Sequence, residues 1–180
     1  MKREYNITVF SENHIGLLAR ITLIFTRRKI NIESLTVSES AIAGIFKFTI
    51  VVLCTEDTAR KVTAQIEKVI DVLKAFYLTN EEMIYQEIAL YKVPTEALYD
   101  SDQVENIVRN SGARILEITR EYTVIEKTGH KEETQALFNE LNQFKVMQFI
   151  RSGRVAITRD PIERISEFLR ERDAFLEAVD

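Results

Sequence analysis

Tyr5-Asn6-Ile7-Thr8-Val9-Phe10-Ser11-Glu12-Asn13-His14-Ile15-Gly16-Leu17-Leu18 holds a strand, a break and the start of a helix in one short run. Tyr5, Ile7 and Val9 alternate with Asn6 and Thr8, which predicts a strand from Tyr5 to Phe10 with one face toward a core. Ser11-Glu12-Asn13-His14 interrupts the alternation. Leu17, Leu18, Ile21, Ile24 and Phe25 then recur at helical spacing, with Asn13 placed to cap the helix and Arg27-Arg28-Lys29 suited to its C-terminal end.

Reading outward, Ile30–Val37 is a second strand. Its apolar phase shifts between Ile30/Ile32 and Leu35/Val37, which predicts a bulge near Glu33-Ser34. Gly44 marks a turn. Ile45–Cys54 follows as a strand, with Phe46, Phe48, Ile50 and Val52 on one face and Lys47 and Thr49 on the other. A helix carrying Ala59, Val62, Ile66, Val69 and Ile70 on one side leads to a fourth strand, Val72–Leu78. The order β-α-β-β-α-β is a ferredoxin-like unit, with two helices on one face of a four-stranded antiparallel sheet. Such a sheet leaves a face or an edge to be covered, and a second copy of the chain is the expected cover.

The pattern then repeats. Ile84–Val93 reads as a strand, Ser101–Ser111 as a helix with Gly112 just past its end, and Arg114–Thr119 with Tyr122–Lys127 as a hairpin. Thr134–Phe144 reads as a helix and Val146–Ile150 as a strand. The expected fold class is α+β, with two tandem ferredoxin-like β-α-β-β-α-β domains. Their expected extents are residues 1–79 and 80–180, the boundary falling near Thr79-Asn80-Glu81. A short strand, Val155–Thr158, precedes a last helix announced by Asp160 as N-cap, Pro161 at its first position and Glu163 completing a capping-box-like pattern. Its stripe of Ile162, Ile165, Phe168, Leu169, Phe175, Leu176 and Val179 must pack against its own domain, a dimer partner or another protein.

Bulk properties narrow the function. The net charge is −4 and the basic residues are scattered, which argues against nucleic-acid binding by charge. Cys54 is the only cysteine, so no internal disulfide is expected and a reducing, cytoplasmic setting fits. No apolar run approaches a membrane span, and the N-terminus runs into a strand without a signal-peptide apolar region. His14, His130 and Cys54 show no metal-ligand spacing, and no G-x-S-x-G, P-loop or G-x-G-x-x-G is present. The burden therefore lies on any enzymatic reading.

The segment from Glu12 to Leu18 is where a ligand would go. Backbone N–H groups at a helix N-terminus hold carboxylates, and the Asn13 amide bonds either an ammonium or a carboxylate. A glycine inside a helix costs about 1 kcal/mol relative to alanine, so Gly16 reads either as room for a close ligand or as room for dimer packing on a capped helix. Asn31 offers a second amide, or is simply a turn residue at a strand start. His14 is a ligand contact or a solvated loop residue, Arg20 a structural ion-pair or interface residue, and Cys54 core.

These residues resemble a known family. Glu12-Asn13-x-x-Gly16-x-Leu18-x-Arg20, Phe25, and above all Asn31-Ile32-Glu33-Ser34-Leu35-Thr36-Val37 resemble the ACT domain of acetolactate synthase small subunits. The likeness continues through Ile66-Glu67-Lys68, Val72-Leu73, Gln86-Glu87-Ile88 and Arg151-Ser152-Gly153, to about Arg159. Ala19 departs from the serine usual there, which bears on effector preference. The terminal helix is longer than the family pattern suggests, which bears on contacts with the partner subunit.

The resemblance implies a non-catalytic regulatory subunit that activates a catalytic large subunit and confers feedback inhibition by branched-chain amino acids, typically valine. It implies a homodimer through the ACT domains and an effector site of Asn13, Ile15, Gly16, Leu17, Leu18, Asn31 and Ile32. Thiamine diphosphate, Mg and FAD belong to the large subunit in this reading, with no cofactor in the chain itself. The rival reading, an amino-acid-sensing transcriptional regulator, needs a DNA-binding element, and the two β-α-β-β-α-β patterns leave no helix-turn-helix.

Overall fold

The computed structural model describes residues 1–96, 103–162 and 164–170. Strands β1 (Arg3–Glu12), β2 (Ile32–Glu39), β3 (Ile45–Cys54) and β4 (Val72–Leu78) form one antiparallel sheet in the order β2-β3-β1-β4. Helices α1 (Leu17–Arg27) and α2 (Glu56–Ile66) provide one side of its core. Tyr5, Ile7 and Val9 of β1 and Phe48, Ile50 and Val52 of β3 face Leu17, Ile21, Phe25, Ala59, Val62 and Ile66. The β2–β3 register slips between Ile32 and Ser34, the bulge that the phase shift predicts. Helix α2 stops at Ile66, earlier than the apolar stripe suggests, and Ile70 is exposed in the turn that leads to β4.

A second sheet repeats the topology. β5 (Met83–Pro94), β6 (Arg114–Ile118), β7 (Tyr122–Gly129) and β8 (Gln148–Arg151) lie in the order β6-β7-β5-β8. Helices α3 (Gln103–Asn110) and α4 (Lys131–Leu141) contribute Val104, Val108, Leu137 and Leu141 to its core around Tyr91 and Ile125. The start of the helix expected from Ser101 lies outside the described residues. Gly112, at φ +66°, ends α3: its N–H donates to the Arg109 carbonyl, and the next N–H, of Ala113, donates to that of Val108. This is the paired closure for which a left-handed residue is used. No described helix is long and apolar enough to cross a membrane.

The chain divides into two units, but not at the expected boundary of 1–79 and 80–180. Met1–Ile84 together with the chain from Arg154 on forms the first unit, and Tyr85–Gly153 the second. The reason lies in the second face of the first sheet. Asn6, Thr8 and Phe10 on β1 and Thr49 and Val51 on β3 point away from the helices, yet all are buried. The returning C-terminal segment covers them. Its strand β9 (Val155–Thr158) buries Ala156, whose carbonyl accepts a hydrogen bond from Lys47 Nζ at 2.6 Å, and the Arg159 N–H donates to the Glu82 carbonyl. Asp160 Oδ1 accepts from the Ile162 N–H, and the described part of the last helix (α5) spans residues 164–170. Its Ile165 is fully buried, while the Arg164 guanidinium lies over the Phe76 ring and Lys74 over Phe168. The expected capping residue Glu163 and the stripe residues Phe175, Leu176 and Val179 lie outside the described residues.

Arg154 begins this return. Only 4% exposed, it donates through Nη2 to Glu4 Oε2 at 2.6 Å and through Nη1 to Asn6 Oδ1 at 3.2 Å and Asn80 Oδ1 at 3.0 Å. Its backbone N–H reaches Ser34 Oγ. Removing one partner from a buried, hydrogen-bonded ion pair leaves the others desolvated. Arg154→Ala is therefore expected to destabilise the chain by about 3 kcal/mol, read as a lower urea midpoint. Arg154→Lys should restore part of the loss, since it returns the charge without the forked donor set.

In the second unit, Tyr91 is fully buried and its hydroxyl donates to the Thr134 carbonyl at 2.6 Å. Burial pushes its pKa up to about 12, with Arg151 opposing. Below pH 10 the phenol is neutral in both the folded and unfolded chains. Between pH 10 and 12 the unfolded chain releases this proton and the folded one keeps it, so stability falls as pH rises, by about 1.4 kcal/mol per unit. Tyr91→Phe should flatten that part of the alkaline stability profile measured by denaturant titration.

Candidate effector site

The loop between β1 and α1 departs from the sequence expectation in one respect. Asn13 is not the helix cap. Gly16 occupies that position at φ +84°, ψ −3°, and no side chain caps the helix. The chain bends through His14 N–H to the Glu12 carbonyl and Leu17 N–H to the His14 carbonyl, and the helical ladder then opens with Arg20 N–H to Gly16. Gly16 thus precedes the helix instead of lying one turn inside it. A Cβ on Gly16 would meet nothing within 4 Å in the chain, so its left-handed backbone conformation is what calls for glycine here.

The first-turn N–H groups of Leu18 and Ala19 have no partner four residues back within the helix, which leaves the anion-favouring end of α1 without a side-chain cap. Around it Ile15 is fully exposed and Leu18 43% exposed, while Leu17 turns its side chain into the core and can offer a ligand only its backbone. Asn31 is exposed just before β2, with its amide nitrogen donating to Glu33 Oε1 at 3.1 Å. Ile32 is half-buried, packs on the first core and pairs with Val52.

The structure adds a cluster that sequence spacing does not reveal. His14 lies 3.5 Å from Glu12 Oε2 and 3.2 Å from Asp71 Oδ1, and Arg20 Nη2 is 2.6 Å from Asp71 Oδ2. The Glu12 N–H also donates to the Asp71 carbonyl. Asp71 stands at φ +77° in the turn before β4, a conformation that Asp tolerates better than most residues. Its short polar side chain between Ile70 and Val72 is the one sequence signal of that turn. Glu12, His14 and Asp71 bring three ligand-type atoms within 4.8 Å of one another. Arg20 already supplies a cation to Asp71, so the group reads as a tie that fixes the loop, in keeping with a structural ion-pair role for Arg20.

A cavity of about 620 Å³ lies beside this loop, lined by Glu12, Asn13 and His14, the β2–β3 turn from Ile42 to Ile45, Leu73 of β4 and Leu169 of α5. It therefore includes Asn13 of the expected site residues but not Gly16 or Asn31.

The groups with shifted acidity have local causes. Burial pushes the Cys54 thiol up. The Thr79 N–H and hydroxyl hold Glu82 low, and the Thr128 hydroxyl, then Arg114, hold Glu126 low. These are structural bonds on separate elements.

Comparison with known proteins decides the family. The profile described as an AHAS small subunit-like ACT domain matches residues 3–74, and that of the small subunit of acetolactate synthase matches residues 86–160. The acetolactate synthase small subunit of Bacillus subtilis is 34% identical over 92% of this chain and 95% of its own. The chain belongs to the acetolactate synthase small-subunit family. The small subunit of Aquifex aeolicus is 32% identical over 88% of this chain and 82% of its own. The crystal structure of the Thermotoga maritima small subunit superposes with a TM-score of 0.80 at 29% identity, covering 89% of this chain and 99% of that one.

Membership makes the chain a regulatory subunit in branched-chain amino acid biosynthesis. It also gives the Arg151-Ser152-Gly153 motif a physical role in this small subunit. Arg151 donates through Nη2 to Gln135 and lies 3.7 Å from the buried Glu87 carboxylate, while Ser152 exchanges hydrogen bonds with the Ile88 backbone. The motif thus anchors the end of β8 in the second unit immediately before the chain returns to the first.

The backbone at Gly16 can be tested directly. Gly16→Ala places a Cβ in the left-handed region, at a cost of about 1–2 kcal/mol. The variant should show that loss in chemical denaturation even though the space around the position is open.

Proposed function

We propose that the chain activates a catalytic large subunit and makes it sensitive to a branched-chain amino acid, typically valine, held where β1 turns into α1. The observation that carries this reading is the uncapped start of α1 at Gly16, inside the stretch that matches the small-subunit ACT profile. A carboxylate suits the backbone N–H groups of this helix end, and the exposed Ile15 and Leu18 offer apolar surface to a branched side chain. Asn13 and Asn31 supply amides, and Ile32 continues the apolar wall at the start of β2.

Ligand size favours a site closed by a second copy. Micromolar binding needs about −8 kcal/mol, roughly −1 kcal/mol for each non-hydrogen atom of valine, near the ceiling for very small ligands. Nearly all of the ligand must then be enclosed. The edge strand β2, next to Asn31, is the natural seam for a homodimer. Inhibition follows as coupling: valine favours one arrangement of the dimer and the large subunit another. Thiamine diphosphate, Mg and FAD serve the large subunit, and the assembly works in the cytoplasm.

The chain added to its purified large subunit, with thiamine diphosphate and Mg, should raise the rate of acetolactate formation, and the chain alone should form none. Product from the chain alone would sink the reading. Calorimetry of the full chain should detect valine, and Gly16→Asp should abolish the signal by setting a carboxylate beside that of the ligand. Asn31→Ala removes a hydrogen bond to a charged ligand, worth about 1.5 kcal/mol or more, and should weaken binding about tenfold.

A further inference from the structure

Helix α5 lies beyond residue 160, where the match to the small-subunit profile ends. Even so, it reaches the loop that the proposed function makes the effector site. Leu169 lines one wall of the cavity whose other walls include Glu12, Asn13 and His14, and Leu73 and Ile45 complete its apolar side. The helix is held there by fully buried Ile165, by Arg164 over Phe76 and by Lys74 over Phe168. The segment that carries it is fixed upstream by Arg154 to Glu4, Asn6 and Asn80, and by Lys47 to the Ala156 carbonyl.

We infer that α5 is a built-in support of the effector loop, with Leu169 as a positioning residue that sets effector affinity and the Arg154 cluster as the latch that keeps it in place. The inference rests on the proposed effector reading. Its physical basis is that a small ligand loses affinity whenever it must also order the loop that holds it. On the α1 side the loop is tied by His14 between Glu12 and Asp71 and by Arg20 on Asp71, all with at least one partly exposed member and therefore weak ties. On the cavity side, Leu169 is the wall residue that α5 contributes among the described residues. Trimming it widens the cavity behind Asn13 and lets the loop sample more conformations.

The experiment uses the full chain with L-valine as the probe, in calorimetry and in hydrogen exchange read over residues 12–18. Leu169→Ala is expected to raise the valine dissociation constant three- to tenfold and to speed exchange at the loop amides, while Leu169→Met restores both. A merely structural side chain would lower stability without this selective change, so urea denaturation of each variant accompanies the titration. Arg154→Lys, which keeps the charge of the latch, should shift valine affinity in the same direction by a smaller factor. A folded Leu169→Ala variant with unaltered valine affinity and unaltered loop exchange overturns the inference. If the unmodified chain binds valine and Gly16→Asp abolishes binding, that result leaves the effector reading standing. If the unmodified chain does not bind L-valine, both fall together.

Discussion

A guanidinium withdrawn from water must find its full set of partners inside the protein, and Arg154 does so on elements far apart in sequence. Glu4 and Asn6 come from β1, Asn80 from the turn before β5, and Ser34 meets the backbone N–H. The desolvation of such a charge costs several kcal/mol, so the arrangement holds only when all the acceptors are in place. This explains why β1 carries Asn6 among its apolar residues even though both of its faces are buried. The polar set marks a second interface, not solvent. Arginine suits the position better than lysine because one planar fork addresses Glu4 and the two asparagine oxygens together.

The periodic elements were legible because each followed from local pattern. β3 and β4 have the expected ends, the bulge in β2 falls where the apolar phase shifts, and Gly112 closes α3. What was not legible depended on distant partners or on a choice between equivalent local solutions. Asn13 and Gly16 are both acceptable ways to begin a helix, and the backbone took the left-handed glycine. His14 meets Asp71 only because β4 lies beside β1. Nor does a run of residues near 154 announce that it belongs with residues near 4. Contiguous reading therefore assigned the C-terminal segment to the second domain.

The two units share a topology and differ in how they are finished. In the first, the face away from the helices is covered by the returning segment, down to Ala156 and Ile165. In the second, the corresponding face keeps Ile88 and Ile150 exposed, with Arg114 paired to Glu126 alongside. Arg151 and Arg154 stand on either side of Ser152-Gly153, one bonded within the second unit and the other within the first. The chain thus fixes both sides of its second crossing with a forked cation and leaves the least restricted residue, glycine, between them.

The same logic reaches the loop proposed to hold the effector. A binding loop for a very small ligand is useful only if most of its ordering is done before the ligand arrives, because so few atoms cannot offset a large entropy loss. Here the left-handed Gly16 sets the direction of the chain, the ties among Glu12, His14, Asp71 and Arg20 hold one flank, and the cavity wall at Leu169 bounds the other. What stays open is the helix end itself, with Ile15 and Leu18 exposed beside it. A loop held on its flanks and open at its tip can respond to a ligand without remaking the core beneath it, since Leu17 stays buried in that core. The elements that can shift are then the loop and whatever covers its tip, and a regulatory subunit can transmit such a shift to a partner while its own fold stays intact.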